Sequence, residues 1–399
     1  MKLFFRFAIR CTAIVVGVAV CATNPGASSE HYVVANDEAL PTNLGTVMKL
    51  GGTANNPLLT TVATLQTGVS EPFSNFGTPT VQIIRASTDV CVFIGDTPGS
   101  GNDISSFQYP GLQVAGNYSD PQIQETGLIV IAAHGNYLFA AYASYVDTWQ
   151  IEPGCSLSPM HTVIAPDGIV SLAVTPNGQT LLANYGYFGE VGSFSIAPDG
   201  SLTPHGPYDE GNGLNGSRGV DVTADGKYAL FAIASYPSPP YNRSYTQINI
   251  FAINSDGTLG KLYVFGGDGT MGFGSGSGPL WLSPNQNFLF VSDTGTESQK
   301  ITTLYFTENP LNLAYGCIAK PRNLGPPATI WGLATALPTG SGGGLYVAET
   351  ASNTASSAIA LFGINPSTGC LKEAPESPFS IDNLESSLKS VAVWPPRPF

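Results

Sequence analysis

The chain has 399 residues, with 15 Lys+Arg against 28 Asp+Glu for a formal net charge of −13, and 46 Gly and 31 Pro spread along it. Turn formers at that frequency, with no long helical pattern, predict many short strands. An acidic surface repels phosphate backbones and anionic lipid, so nucleic acid and membrane surfaces are excluded as partners.

Residues 1–29 read separately from the rest. Lys2, Arg6 and Arg10 precede an apolar run from Cys11 to Ala22, with small residues at its end. That is the layout of a secretory signal cleaved near residues 21–29, and the run is too short to span a bilayer. Cleavage removes three basic residues and no acidic one, leaving 12 basic against 28 acidic, a net of −16. The expectation is one secreted or periplasmic domain over 30–399, monomeric and with no membrane span. Multiply anionic substrates are disfavoured unless the few remaining arginines (Arg85, Arg218, Arg243, Arg322 and Arg397) converge on one site.

From Val81 onward the chain repeats. VQIIRASTDVCVFIGDT begins one unit, and GLIVIAAHGNYLFAAYA from Gly127 begins the next. The clearest unit is Ile169–Thr203: IVSLAVTP, an Asn177-Gly178 turn, TLLANY, VGSFSIA, then an Asp199-Gly200 turn and SLTP. Apolar alternation around Asn-Gly and Asp-Gly predicts hairpins whose two central residues both take positive φ. Further units start at Arg218, Pro279 and Trp331. These six units recur at blade-like spacing. The ends supply a seventh: HYVVAN lacks an innermost strand, and SVAVWP near the C-terminus is an innermost strand alone. Pairing them would close the ring and leave neither strand as a free edge. The predicted fold is all-β, a seven-bladed β-propeller.

Four cysteines follow the leader: Cys91, Cys155, Cys317 and Cys370. Gly-Cys recurs at 154–155, 316–317 and 369–370, which places those three in one repeated turn. Outer strands of neighbouring blades should lie roughly 15–18 Å apart at ~4.8 Å per strand outward from the axis. A disulfide needs Cα atoms within about 7 Å. Free or buried thiols are therefore expected. Asn117, Asn215 and Asn242 stand in Asn-x-Ser sequons.

The units AVTPNGQTLLANY…SFSIAPDGSLT resemble the lactonase-type seven-bladed propellers, relatives of 6-phosphogluconolactonase and the carboxymuconate cyclases, and the wider YVTN-repeat propellers. The resemblance implies a small lactone or sugar-like ligand at the axial mouth; no cofactor is expected, and no metal is expected because the sequence has no His-x-x-x-His pair and no Asp-x-Asp-x-Asp-Gly run. It also implies basic residues and histidines on the innermost strands around a Gly-Pro-Arg-His start. The matching stretch here is Asn215-Gly-Ser-Arg218-Gly219. Arg218 corresponds to the arginine that would grip a substrate carboxylate or phosphate by two hydrogen bonds, and Gly219 stands where the histidine would be. A polar residue ends the second strand of most units: Asn36, Asp96, Asn184, Asp293 and Glu349. The recurrence suggests loop capping in the manner of an Asx-turn, with Glu349 and Asp293 as candidate acid/base groups. The candidate catalytic set is thus Arg218, Glu349 and Asp293. His134 falls in a hairpin turn and His161 ahead of a Pro-Asp-Gly turn, neither placed as an axial base. The glycine-rich 267–278 stretch lacks the Gly-Lys-Ser/Thr ending of a phosphate loop, and 235–245 reads as a rim loop. Two functions stand: a lactonase-like hydrolase or cycloisomerase, and a non-catalytic exported propeller that binds a ligand or protein.

Overall fold

The computed structural model of the chain describes residues 31–395 except for 38–41, 54–55, 70–79, 97–103, 120–128, 143, 167, 187–189, 210–216, 236–244, 267–276, 294–299, 309–311, 323–327, 337–342, 352–355 and 382–387. The leader, the sequons at Asn215 and Asn242, and most of the 235–245 and 267–278 loops lie outside the described residues.

Seven antiparallel sheets make a ring, and among the described residues there is no α-helix. Blade IV shows the plan. Its innermost strand is Ile169–Val174, followed outward by Thr180–Tyr185, Glu190–Ile196 and Leu202–Asp209. Blades II, III, V and VI follow suit, with innermost strands Val81–Ala86, Val130–His134, Ser217–Val222 and Ser277–Leu282. Blade VII begins at Ala328–Ala336 and ends in a three-residue outer strand, Leu371–Glu373, with Phe379–Ile381 also pairing its third strand. Blade I closes the ring as expected: Leu388–Trp394 is innermost and pairs His31–Asp37, from Tyr32 opposite Trp394 to Asn36 opposite Ser390.

The second strands explain the run of apolar residues in each unit. TLLANY is buried at all of its positions because each face of a blade meets a neighbour. Leu181, Ala183 and Tyr185 pack toward blade III, and Leu182 between them packs toward blade V. Period-2 alternation here sorts residues between two seams, not between core and water. Among the described residues seven apolar clusters form, one in each seam.

The turns correct one expectation. Positive φ falls on Gly178 and Gly200, at 69° and 80°, but not on Asn177 or Asp199. Gly178 N–H donates to the Thr175 carbonyl, 2.8 Å, closing an ordinary four-residue turn that the glycine then exits. The Asp or Asn side chain caps it: Asp199 Oδ1 accepts from the Ser201 amide at 3.0 Å and its hydroxyl at 2.7 Å. Asp256 does the same with Thr258. Those bonds, led by the hydroxyl's, hold both carboxyls below their usual range.

The cysteines correct another. Cys91 bonds Cys155 and Cys317 bonds Cys370, with Cα atoms 5.4 and 5.3 Å apart. Blade spacing separates equivalent positions, but the bonded residues are not equivalent. The turn between the third and outermost strands leans back over the preceding blade. Thr148 Oγ1 of blade III donates to the Gly200 carbonyl of blade IV at 3.0 Å, and Thr303 of blade VI to the Gly369 carbonyl of blade VII at 3.1 Å. Ser195 of blade IV reaches the Asp256 carbonyl of blade V at 2.6 Å in the same way. This lean sets Cys155 beside Cys91 on the second strand of blade II, and Cys370 beside Cys317 on the outer strand of blade VI.

Candidate functional site

The innermost strands of all seven blades line an axial cavity of about 130 Å³. Its wall is mostly Val, Ala and Leu, with Trp281 as the largest side chain; the polar members are Gln82, Asp221 and Thr335. Each of these three is occupied in stitching neighbouring innermost strands together. Gln82 Nε2 donates to the Ile131 carbonyl at 3.2 Å, and Thr335 Oγ1 to the Leu282 carbonyl at 3.1 Å. Asp221, almost fully buried, accepts from the amides of Val222 and Leu282, both at 2.8 Å. Polar groups near the axis therefore hold the ring, and the cavity wall they leave is apolar.

Toward the face where the innermost strands begin, here called the upper face, a smaller cavity of about 20 Å³ lies beside Gly219, Trp281 and Gly332. A β-carbon on Gly219 would lie 2.6 Å from the Leu280 amide nitrogen. No side chain fits there without moving the backbone of blade VI. With glycine at this position, the innermost strands of blades V and VI lie against each other there.

The three predicted catalytic residues fall on blades V, VI and VII, and of each the backbone alone is described. Arg218 sits in the innermost strand of blade V at a register shift between Ser217 and Gly219. Asp293 ends the second strand of blade VI opposite Ser277, and Glu349 lies near the end of that strand in blade VII, opposite Ile330. In every case the start of an innermost strand meets the end of a second strand, so all three belong to the upper end of the ring.

Their relatives in the recurrent polar series make bonds between blades, while the loops they would cap lie outside the described residues. Asn36 Nδ2 donates to Thr80 Oγ1 and to the Gly95 carbonyl, both at 3.0 Å, and both partners belong to the next blade. Asn184 Nδ2 reaches the Gly219 carbonyl of blade V at 3.5 Å. Asp96 accepts from Thr67 of blade I at 2.9 Å. These side chains join neighbouring blades.

The opposite, lower face carries His134 at the hairpin of blade III, packed against the Gly178 turn. Burial lowers its pKa, so the imidazole is neutral at pH 7. His161 lies on the outermost strand of the same blade. Sequence reading passed over His205, whose Nε2 is 2.6 Å from Ser195 Oγ. The pair resembles a nucleophile and its base, but the single hydroxyl hydrogen of Ser195 goes to the Asp256 carbonyl. His205 must then donate, and the pair acts as a brace between strands.

No protein-family model and no curated protein matches the sequence. Solved structures do match over nearly the whole chain. A candidate 6-phosphogluconolactonase of Bacteroides fragilis aligns at 17% identity and TM-score 0.62, covering 92% of this chain and 98% of the other. A Lactobacillus plantarum protein aligns at 16% and 0.63, covering 91% and 99%. The periplasmic gluconolactonase PpgL of Pseudomonas aeruginosa aligns at 16% and 0.59, also covering 91% and 99%. The chain has the lactonase-type seven-bladed propeller fold. Identity this low speaks to fold, and activity has to be argued from the site.

Proposed function

We propose that the protein is an exported, lactonase-like propeller that opens or forms a small lactone at the upper mouth. The supporting observation is the register that sets Arg218, Asp293 and Glu349 at one end of three consecutive blades. Arg218 would hold a substrate carboxylate through two parallel N–H···O bonds. Asp293 or Glu349 would take a proton from water as its oxygen adds to the lactone carbonyl. The ring C–O bond then breaks, and the departing alkoxide takes that proton back to give the hydroxy acid. Among the described residues the axial cavity is lined by no Lys or Arg, which favours singly anionic or neutral lactones over phosphorylated ones.

A pH-stat assay over unphosphorylated and carboxylated lactones plus 6-phosphogluconolactone tests this, with Arg218→Ala as control. Turnover on a carboxylated lactone that falls at least ~100-fold in the variant supports the mechanism, since an electrostatic clamp is worth roughly that factor. Turnover unchanged by the variant, or none above background, removes it. The second reading, a propeller that binds a ligand without turning it over, is favoured by the apolar cavity wall and the strand closure at Gly219. Saturable binding of an unreacted lactone would support it.

A further inference from the structure

The two disulfides join blades by one principle but sit in different surroundings. Cys91 and Cys155 are both 0% exposed and belong to the apolar cluster of the II/III seam. Cys317 and Cys370 are half-buried and line an open groove of about 610 Å³ between blades VI and VII. The exposed turn residues Pro366, Ser367 and Thr368 form one wall, and Tyr305 and Phe306 lie on the other side. The groove opens to solvent, so both cysteines of this pair border space that an approaching thiol can enter.

We propose that Cys317–Cys370 is a thiol–disulfide exchange site for a dithiol oxidoreductase, and that Cys91–Cys155 is not. The chemistry closes without any further reactant. A thiolate of the dithiol attacks one of the two sulfurs, the protein S–S bond breaks, and a mixed disulfide forms as the other cysteine leaves as thiolate. The second thiol of the dithiol then attacks the mixed disulfide. Two electrons and two protons pass to the protein, giving two thiols, and the partner leaves as a disulfide. Attack requires in-line approach to a sulfur, which the groove permits at the VI/VII seam and the apolar cluster blocks at the II/III seam.

Opening the bond has a mechanical consequence. Cys370 immediately precedes the outer strand of blade VII, which is only Leu371–Glu373 and is held to its blade by three residue pairs. The far end of that strand stays tied to blade VI. The Arg322 amide donates to Glu373 at 2.7 Å, and its guanidinium to the carbonyls of Pro375 and Ala374. The near end keeps the hydrogen bond from Thr303 to the Gly369 carbonyl and the packing of Gly369 against Phe288, and the turn keeps its own bonds, from the Asn365 amide to the Cys370 carbonyl at 3.0 Å and from the Gly369 amide to the Asn365 carbonyl at 2.8 Å. Reduction would therefore remove the one covalent tie of the 365–371 turn to blade VI and loosen it, while the ring stays closed through its innermost strands. This inference stands apart from the lactone reading.

The test uses the intact protein without denaturant. Graded dithiothreitol is followed by alkylation and peptide mapping, with near-UV circular dichroism to follow the fold. A reduced thioredoxin-type dithiol protein then replaces dithiothreitol. Cys317 and Cys370 should be alkylated at least ~10-fold sooner than Cys91 and Cys155 with both reductants, in a still-folded protein. Hydrogen exchange should rise at 365–371 and stay unchanged around Cys155. The double variant C317S/C370S should show the same exchange pattern with no reductant. Simultaneous labelling of both pairs, labelling only after the fold is lost, or labelling by dithiothreitol but not by the protein dithiol would each overturn the proposal.

Discussion

The II/III and VI/VII seams use the same device, a cysteine in a leaning turn bonded to the preceding blade, yet they differ in what surrounds it. At II/III the turn sinks into an apolar cluster with Phe93, Ile104 and Trp149, and Gly154 N–H adds a bond to Asp89 at 2.9 Å. At VI/VII the turn stays at the surface, beside an outer strand of three residues. Cross-linking separations of 64 and 53 residues are nearly equal. Chain entropy alone then gives each disulfide about 4 kcal/mol, with a difference of only ~0.2 kcal/mol. What distinguishes the seams is burial, not the length of chain they close.

The sharpest way to expose that difference is to replace both pairs with serine. C91S/C155S should lose the cross-link and in addition bury two hydroxyls in an apolar cluster at about 1–3 kcal/mol each, and C317S/C370S should lose the cross-link alone. Urea midpoints of the two variants should differ clearly; equal midpoints would mean that burial does not separate the seams. Next in size is the V/VI seam, where a carboxylate replaces the covalent clip. Asp221→Ala strips acceptors from two buried amides and should cost about 2–3 kcal/mol by the same measurement.

A smaller effect comes from the threonines under the leaning turns. Thr148→Val should cost about 1 kcal/mol, and Thr303→Val less, because the disulfide still holds the Gly369 turn. Adding reductant sufficient to open Cys317–Cys370 should bring the second value up to the first. If Thr303→Val stays the milder change under reduction, the disulfide is not what shelters it. The smallest effect is protonic. His134 has a folded pKa lowered from 6.5 by burial, so the unfolded chain binds its proton first. Its contribution to stability is full above pH 6.5 and is lost as the pH falls below that value toward the folded pKa. His134→Gln should flatten the stability curve on the acid side of pH 6.5 without moving the lower, carboxylate-driven limb.

Much of the ring was legible in the chain. The repeat of strand, Pro-Asn-Gly or Asp-Gly turn and second strand dictates local hairpins, and seven such units can bury both faces only by stacking around an axis. The orphan strands HYVVAN and SVAVWP have each other as the remaining partner, so closure followed from the same requirement. Local pattern could not set how far one blade leans over the next. That displacement, decided by side-chain packing in the seams, turned expected thiols into disulfides. It gave Asn36, Asp96 and Asn184 partners on neighbouring blades, and it brought the strands close at Gly219 where a histidine was sought. Strand periodicity is a property of neighbours along the chain. Contacts across a seam join residues tens of positions apart, and only the folded ring fixes their distance.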